Sequence, residues 1–209
     1  MKPNSSSRFD TLIFDLGKVV IDFDWMRAMK KLEGRTPLSV PEIAGRLKNT
    51  DLVHRYESGS LASESFVEEM QKLLELRVSF EEFVEAWSDI FQSDLILETD
   101  FIDRLKKHHR LLLLSNTDPF HAAFLKERFP VLEKFDARVF SFEVGAMKPD
   151  LKIYEAASHA AQAPADRILY VDDIAAYAEA GASLGWTTVT FKGKEDLLQE
   201  FRRLGVAWS

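Results

Sequence analysis

Thr11-Leu12-Ile13-Phe14-Asp15-Leu16-Gly17-Lys18-Val19-Val20 is the stretch whose reading decides the fold. An apolar run leads straight into one carboxylate, then a glycine, then a second apolar run, the pattern of a buried strand that stops at an acid and restarts beyond it. Chemistry in parallel α/β sheets collects at the carboxyl ends of the strands. Asp15 at a strand end is therefore better placed for function than an acid in a surface loop.

Three later stretches repeat that arrangement. Leu111-Leu112-Leu113-Leu114 ends at Ser115-Asn116-Thr117-Asp118, Val139-Phe140-Ser141-Phe142 is followed by Lys148-Pro149-Asp150, and Ile168-Leu169-Tyr170-Val171 ends at Asp172-Asp173. An acid, a hydroxyl, a lysine and an acid pair, in that order, resemble the haloacid dehalogenase-like (HAD) hydrolase superfamily. The matching pieces are Phe14-Asp15-Leu16-Gly17, Leu114-Ser115-Asn116-Thr117, Lys148-Pro149-Asp150 and Val171-Asp172-Asp173. The resemblance implies an α/β fold with a Rossmann-like parallel sheet core and a helical cap inserted after the first strand. Asp15-Leu16-Gly17 running into Val19-Val20, and Ser115-Asn116-Thr117 with His121 following, look closest to small sugar-phosphate phosphatases of the glucose-1-phosphate type.

The alternation of patterns along the chain agrees. From Trp25 to Leu95 strand-like runs give way to helical spacing: Phe66, Met70, Leu73 and Leu74 share one face, as do Phe83, Trp87, Ile90 and Phe91. Ser79 with Glu82 has capping-box spacing, and turn formers cluster at Gly34 to Pro41 and at Glu57-Ser58-Gly59-Ser60, which predicts about four helices. Residues 19–23 read as a short hairpin beside the site. Beyond residue 100, helices at 101–108, 150–162, 175–184 and 194–204 alternate with strands at 110–114, 138–142, 167–171 and 186–191, as a parallel sheet with right-handed crossovers requires. Asp118-Pro119 caps and starts a further helix. The expected organisation is a mobile tail over 1–8, a core from 9–24 and 96–209, and a helical cap over 25–95.

Composition narrows the partners. The 209 residues suffice for a sizeable core, and a net charge of −7 works against nonspecific binding to nucleic acid or an anionic membrane, so an anionic substrate needs a local cationic site. No cysteine is present, which removes disulfides, thiol catalysis and cysteine-held zinc. No apolar run reaches the roughly 20 residues needed to span a bilayer, and Met1 to Arg8 lacks the apolar core of a secretory signal, so the default expectation is a cytoplasmic protein.

In the context of the four pieces, Asp15 is the expected nucleophile, since a carboxylate attacking phosphorus forms an acyl phosphate and divides one hydrolysis into two easier steps. Ser115 and Asn116 are read as donors to phosphoryl oxygens, helped by amides at the start of the following helix. Lys148 is read as a catalytic and substrate-binding cation that keeps Asp15 ionised and offsets growing negative charge. Asp172 and Asp173, adjacent acids at a strand end, call for a cation, and magnesium suits hard oxygen ligands. The resemblance implies Asp15, the carbonyl of Gly17 and Asp173 as Mg2+ ligands, with Asp172 either direct or one step behind. His121 is weighed as a proton donor or phosphate contact. His108-His109 reads as a solvated helix end, and Arg55, Tyr56, Glu57 and Trp25 are weaker candidates for reaching the substrate.

Two departures stand out. Many relatives carry a second aspartate two residues after the nucleophile as general acid and base, worth about 10²–10⁴ in rate; here that position is Gly17. Ile174 and Tyr177 replace supporting polar residues near the acid pair. The resulting expectation is a Mg-dependent phosphatase acting on a small phosphorylated metabolite. The rival readings are a metal-free 2-haloacid dehalogenase, in which Asp15 attacks carbon, and a catalytically weak HAD fold that binds or regulates.

Overall fold

The computed structural model of the chain describes residues 7–208. In order, the chain forms β1 (Thr11–Phe14), β2 (Ile21–Phe23), α1 (Trp25–Leu32), α2 (Val40–Lys48), α3 (Leu52–Glu57), α4 (Ser63–Leu73), α5 (Phe80–Ser88) and β3 (Phe91–Leu95). Then follow α6 (Thr99–Lys106), β4 (Arg110–Ser115), α7 (Pro119–Arg128), β5 (Ala137–Phe140), α8 (Ser141–Val144) and α9 (Leu151–Ala161). The chain finishes with β6 (Ile168–Asp172), α10 (Ala175–Ser183), β7 (Thr187–Thr190) and α11 (Lys194–Leu204).

The main sheet is parallel, with strand order β5-β4-β1-β6-β7. β1 lies at its centre and is buried along its whole length, which is why its sequence is a continuous apolar run rather than an alternating one. Alternate residues still serve opposite faces: Leu12 and Phe14 join the cluster holding Phe101, Leu125 and Phe201, whereas Ile13 joins that of Tyr154, Tyr170 and Trp186. Phe14 is level with Leu113 of β4 and Val171 of β6. That register brings Asp15, Leu114 and Asp172 side by side at the carboxyl edge, so residues distant in sequence meet because three strands end together.

The five helices α1–α5 bury their own cluster, built on Ile43, Tyr56, Phe66, Met70, Phe83 and Trp87. The capping box at Ser79 and Glu82 is present, the Glu82 amide donating to Ser79 Oγ and the Ser79 amide to Glu82 Oε2. The sequence suggested about four helices; the fifth is the six-residue α3, too short to show a period. α5 ends at Ser88, so Ile90 and Phe91 leave the helical face assigned to them, and Phe91 starts β3. The hairpin expected at 19–23 is likewise corrected. β2 does pair antiparallel, but with β3 across the whole helical segment, Phe23 opposite Phe91.

Two further expectations change. β5 ends at Phe140, and Ser141 opens the short α8. His109 is buried rather than solvated, its ring nitrogens 2.9 Å from Phe9 O and 2.8 Å from Ala207 O, and burial holds its pKa below the usual histidine value. Of the tail expected over 1–8, residues 1–6 lie outside the described residues, while Ser7 is buried and its hydroxyl accepts from the Phe9 amide. Among the described residues no helix is long and apolar enough to cross a membrane.

Gly59, in the turn between α3 and α4, has φ of +71°, and a Cβ there would lie 2.2 Å from the Phe142 carbonyl oxygen on α8. Only glycine combines that backbone with so close an approach. Gly59→Ala is expected to cost at least about 1–3 kcal/mol through backbone strain alone. Thermal melting followed by circular dichroism reads the loss, and an unchanged Tm contradicts this account of the contact.

Candidate active site

At the carboxyl edge of the sheet Lys148 is 3% exposed and its Nζ donates to Asp15 Oδ1 at 2.7 Å, Asp172 Oδ2 at 2.7 Å and the Leu114 carbonyl at 3.1 Å. An ammonium has three N–H groups, so all of them are engaged within the protein. Lys148 also lines the cleft, where its charge acts on whatever enters both directly and through Asp15. Burial disfavours the ammonium, but the charges of Asp15 and Asp172 outweigh it and hold the lysine pKa above its usual value. Asp15 feels the opposite balance, because burial and then the Asp172 charge overcome Lys148 and push its pKa up to about 6.

Asp172 is fully buried and accepts three hydrogen bonds. Its Oδ2 accepts from Lys148 and from the Tyr170 hydroxyl, and its Oδ1 accepts from the Ile174 amide at 2.8 Å. Asp173 is half-buried, and burial followed by the Asp172 charge raises its pKa. One carboxylate oxygen from each of Asp15, Asp172 and Asp173 lies within 4.8 Å of the others. This is a hard-oxygen set that fits a small divalent cation. Both Asp172 oxygens already accept hydrogen bonds, so Asp15 and Asp173 carry the more available donors, and Asp172 chiefly holds Lys148 and the following turn.

Asn116, assigned from sequence to the phosphoryl group, lines the cleft and also clamps the Lys148 backbone: Oδ1 accepts from Lys148 N at 2.7 Å and Nδ2 donates to Lys148 O at 3.1 Å. Ser115 Oγ makes a single long bond, 3.3 Å to the Asn116 carbonyl, and is free to turn toward an incoming oxygen. The amides expected to assist at the start of α7 are partly taken, since Thr117 N donates to Ser141 Oγ and His121 N to Asp118 Oδ1. His121 is buried, with Nδ1 2.8 Å from Asp118 Oδ2 and Nε2 3.0 Å from the Trp87 carbonyl. Burial works against its charged form, but Asp118 prevails and raises its pKa. Trp87 of α5 donates to the same Asp118 at 3.0 Å, so this buried pair fastens the helical segment to α7 at the wall of the cleft.

A cleft of about 230 Å3 opens over these groups. Asp15, Gly17, Ser115, Asn116, Lys148 and Asp173 line its floor, and Phe23, Trp25, Glu57, Phe91, His121 and Tyr177 are among its walls. A Cβ on Gly17 would meet the Phe23 ring at 2.6 Å, which explains why no acid occupies that position while the ring stays where it is. Of the weaker candidates, Trp25 and Glu57 reach the cleft. Arg55 is turned to Glu69 and Asp51, and Tyr56 stacks on Phe66 at 4.1 Å. The sequence reading missed Tyr170 and took Tyr177 only as a departure from the usual polar residue, not as part of the cleft. Tyr170 sits two residues before Asp172 in one strand, hence on the same face, and Tyr177 follows Asp173 by one helical turn, so each spacing carried the signal.

The geometry has known counterparts. Over 195 residues the chain is 25% identical to D-ribitol-5-phosphate phosphatase of Bacteroides thetaiotaomicron, covering 90% of this chain and 95% of the relative. It is also similar, at 25% identity and a TM-score of 0.80, to the structure of a HAD family enzyme from that organism in complex with magnesium and inorganic phosphate, covering 93% of this chain and 100% of that one. The structure of a HAD-like family hydrolase from Porphyromonas gingivalis matches with a TM-score of 0.80 at 24% identity, over 95% of this chain and 98% of the other. The sequence pattern of the haloacid dehalogenase-like hydrolases matches residues 9–185, and the chain belongs to that family.

Proposed function

We propose that the chain is a magnesium-dependent phosphomonoester hydrolase for a small phosphorylated metabolite of the sugar- or polyol-phosphate kind, working through an aspartyl phosphate on Asp15. The observation that carries this reading is the buried Lys148, which holds Asp15 and Asp172 together beside Asp173 at the floor of the cleft. A carboxylate attacking phosphorus needs its lone pair aimed and its charge maintained, and the 2.7 Å bond from Lys148 does both. The Ser115 hydroxyl is the side-chain donor for a phosphoryl oxygen, and Asn116 keeps Lys148 in register. Mg2+, held by Asp15 and Asp173, offsets negative charge on the phosphoryl group when bound. Helices α1–α5 serve as the cap, whose Trp25 and Glu57 face the leaving group and exclude water.

The relative's name makes D-ribitol 5-phosphate the first compound to try. A panel of sugar and polyol phosphates, with inorganic phosphate release as readout, is expected to give turnover with millimolar Mg2+ and a fall of at least about 100-fold on chelation, since the metal supplies several kcal/mol of charge stabilisation. Turnover indifferent to chelation removes the metal from this reading. Halide release from a 2-haloacid without metal replaces it by carbon chemistry.

A further inference from the structure

With Gly17 in place of an acid, the proton for the leaving group has to come from another side chain. The titratable groups that line the cleft are nearly all committed. Lys18 Nζ is held by Asp22 Oδ1 and the Phe23 carbonyl, each at 2.6 Å. Both ring nitrogens of His121 and all three N–H groups of Lys148 are engaged. Asp15 and Asp173 belong to the carboxylate set, and the Tyr177 phenol is pushed still further above its usual alkaline value, burial being the main cause. Glu57 remains. It is half-buried in the cleft, and its carboxyl makes no hydrogen bond or ion pair with another described residue.

Resting on the phosphatase reading, we propose that Glu57 is the general acid and base that Gly17 cannot be. Asp15 Oδ attacks phosphorus, the bond from phosphorus to the leaving oxygen breaks, and that oxygen keeps the electron pair and takes the Glu57 proton. In the second step the Glu57 carboxylate accepts a proton from water as the water oxygen bonds to phosphorus. The bond from phosphorus to Asp15 then breaks, releasing inorganic phosphate and restoring both carboxyl groups. No further reactant is needed.

Position and environment agree. Glu57 is the last residue of α3, two residues before Gly59, whose contact with the Phe142 carbonyl sets this end of the helix against the core. Burial, then the charge of Asp118, raises the Glu57 pKa to about 7, with His121 on α7 opposing. From α10 Tyr177 faces it, and the Glu57 charge contributes to raising that phenol. An acid that titrates near the working pH can both give and take a proton.

The test compares the full-length chain with Glu57→Gln and Glu57→Asp on two substrates, p-nitrophenyl phosphate and the alkyl phosphate the panel shows to be best. The glutamine variant is expected to lose about 10²–10⁴ in kcat/KM on the alkyl phosphate and far less on the activated aryl ester, whose leaving group needs little protonation. The wild-type kcat/KM for the alkyl phosphate falls as pH rises through about 7, and that limb disappears in Glu57→Gln but persists in Glu57→Asp. Equal losses on the two substrates, or an intact limb in Glu57→Gln, overturn the assignment and leave the phosphatase standing. A wild type inactive on every phosphomonoester removes both readings.

Discussion

Asp15→Asn is expected to lower kcat on the order of 10⁴–10⁶-fold, the scale of losing a covalent nucleophile. The amide keeps the shape of the carboxylate, so Lys148 stays bonded to Asp172 and the fold persists. Stability gives an independent check. The folded pKa of Asp15 lies near 6, above its ordinary 3.8, so its ionisation costs the native state stability as pH rises through that window. Without divalent metal, the variant is therefore expected to gain on the wild type between about pH 4 and pH 6 and to keep that advantage above it. Urea melts across that range read the difference. A variant that loses ground as pH rises shows that Asp15 is held ionised more firmly than its burial allows.

Lys148→Ala removes a cation bonded to two buried carboxylates. Breaking a buried pair by deleting one partner typically costs about 3–5 kcal/mol, because the remaining charge is neither hydrated nor paired. For a chain of this size that is a fall in Tm on the order of 10 °C. Activity should disappear with it, since Asp15 loses its aim and protonates more readily. Magnesium is expected to raise the Tm of Lys148→Ala more than that of the wild type, because the carboxylates it would join are then unpaired. Scanning calorimetry with and without the metal decides this, and a variant as stable as the wild type contradicts the account of Lys148 as the tie across the sheet edge.

The main sheet was legible because each of its inner strands is buried on both faces, and burial of that kind writes itself as an unbroken apolar run, as in Leu111 to Leu114. Asp15, Ser115 and the acid pair follow from it, since they stand where those runs stop, whereas Lys148 lies beyond the edge strand β5 and the short α8 and was legible only through Lys148-Pro149-Asp150. The antiparallel pairing of β2 with β3 left no such trace: three residues carry no period, and their partners lie some seventy positions away. Nor does sequence show how hydrogen bonds are shared out once groups converge. Asn116 and Lys148 read as ligands for phosphate, but the sequence does not show that Asn116 also clamps the Lys148 backbone, that Lys148 ties two carboxylates, or that both ring nitrogens of His121 meet Asp118 and Trp87. Glu57 was one of four weak candidates from the helical segment, and what separates it from Arg55 is that it lines the cleft while Arg55 pairs with Glu69 and Asp51.

The β2–β3 ribbon has a consequence for how such a protein diversifies. Phe23 and Phe91 are register partners, so the chain leaves the core and returns to it at points about 5 Å apart. Anything whose two ends sit that close can be grafted there without stretching the strands beneath. The helical segment is thus an exchangeable fitting on a fixed sheet edge: replacing it redraws the walls of the cleft, while Asp15 and Lys148 keep their places.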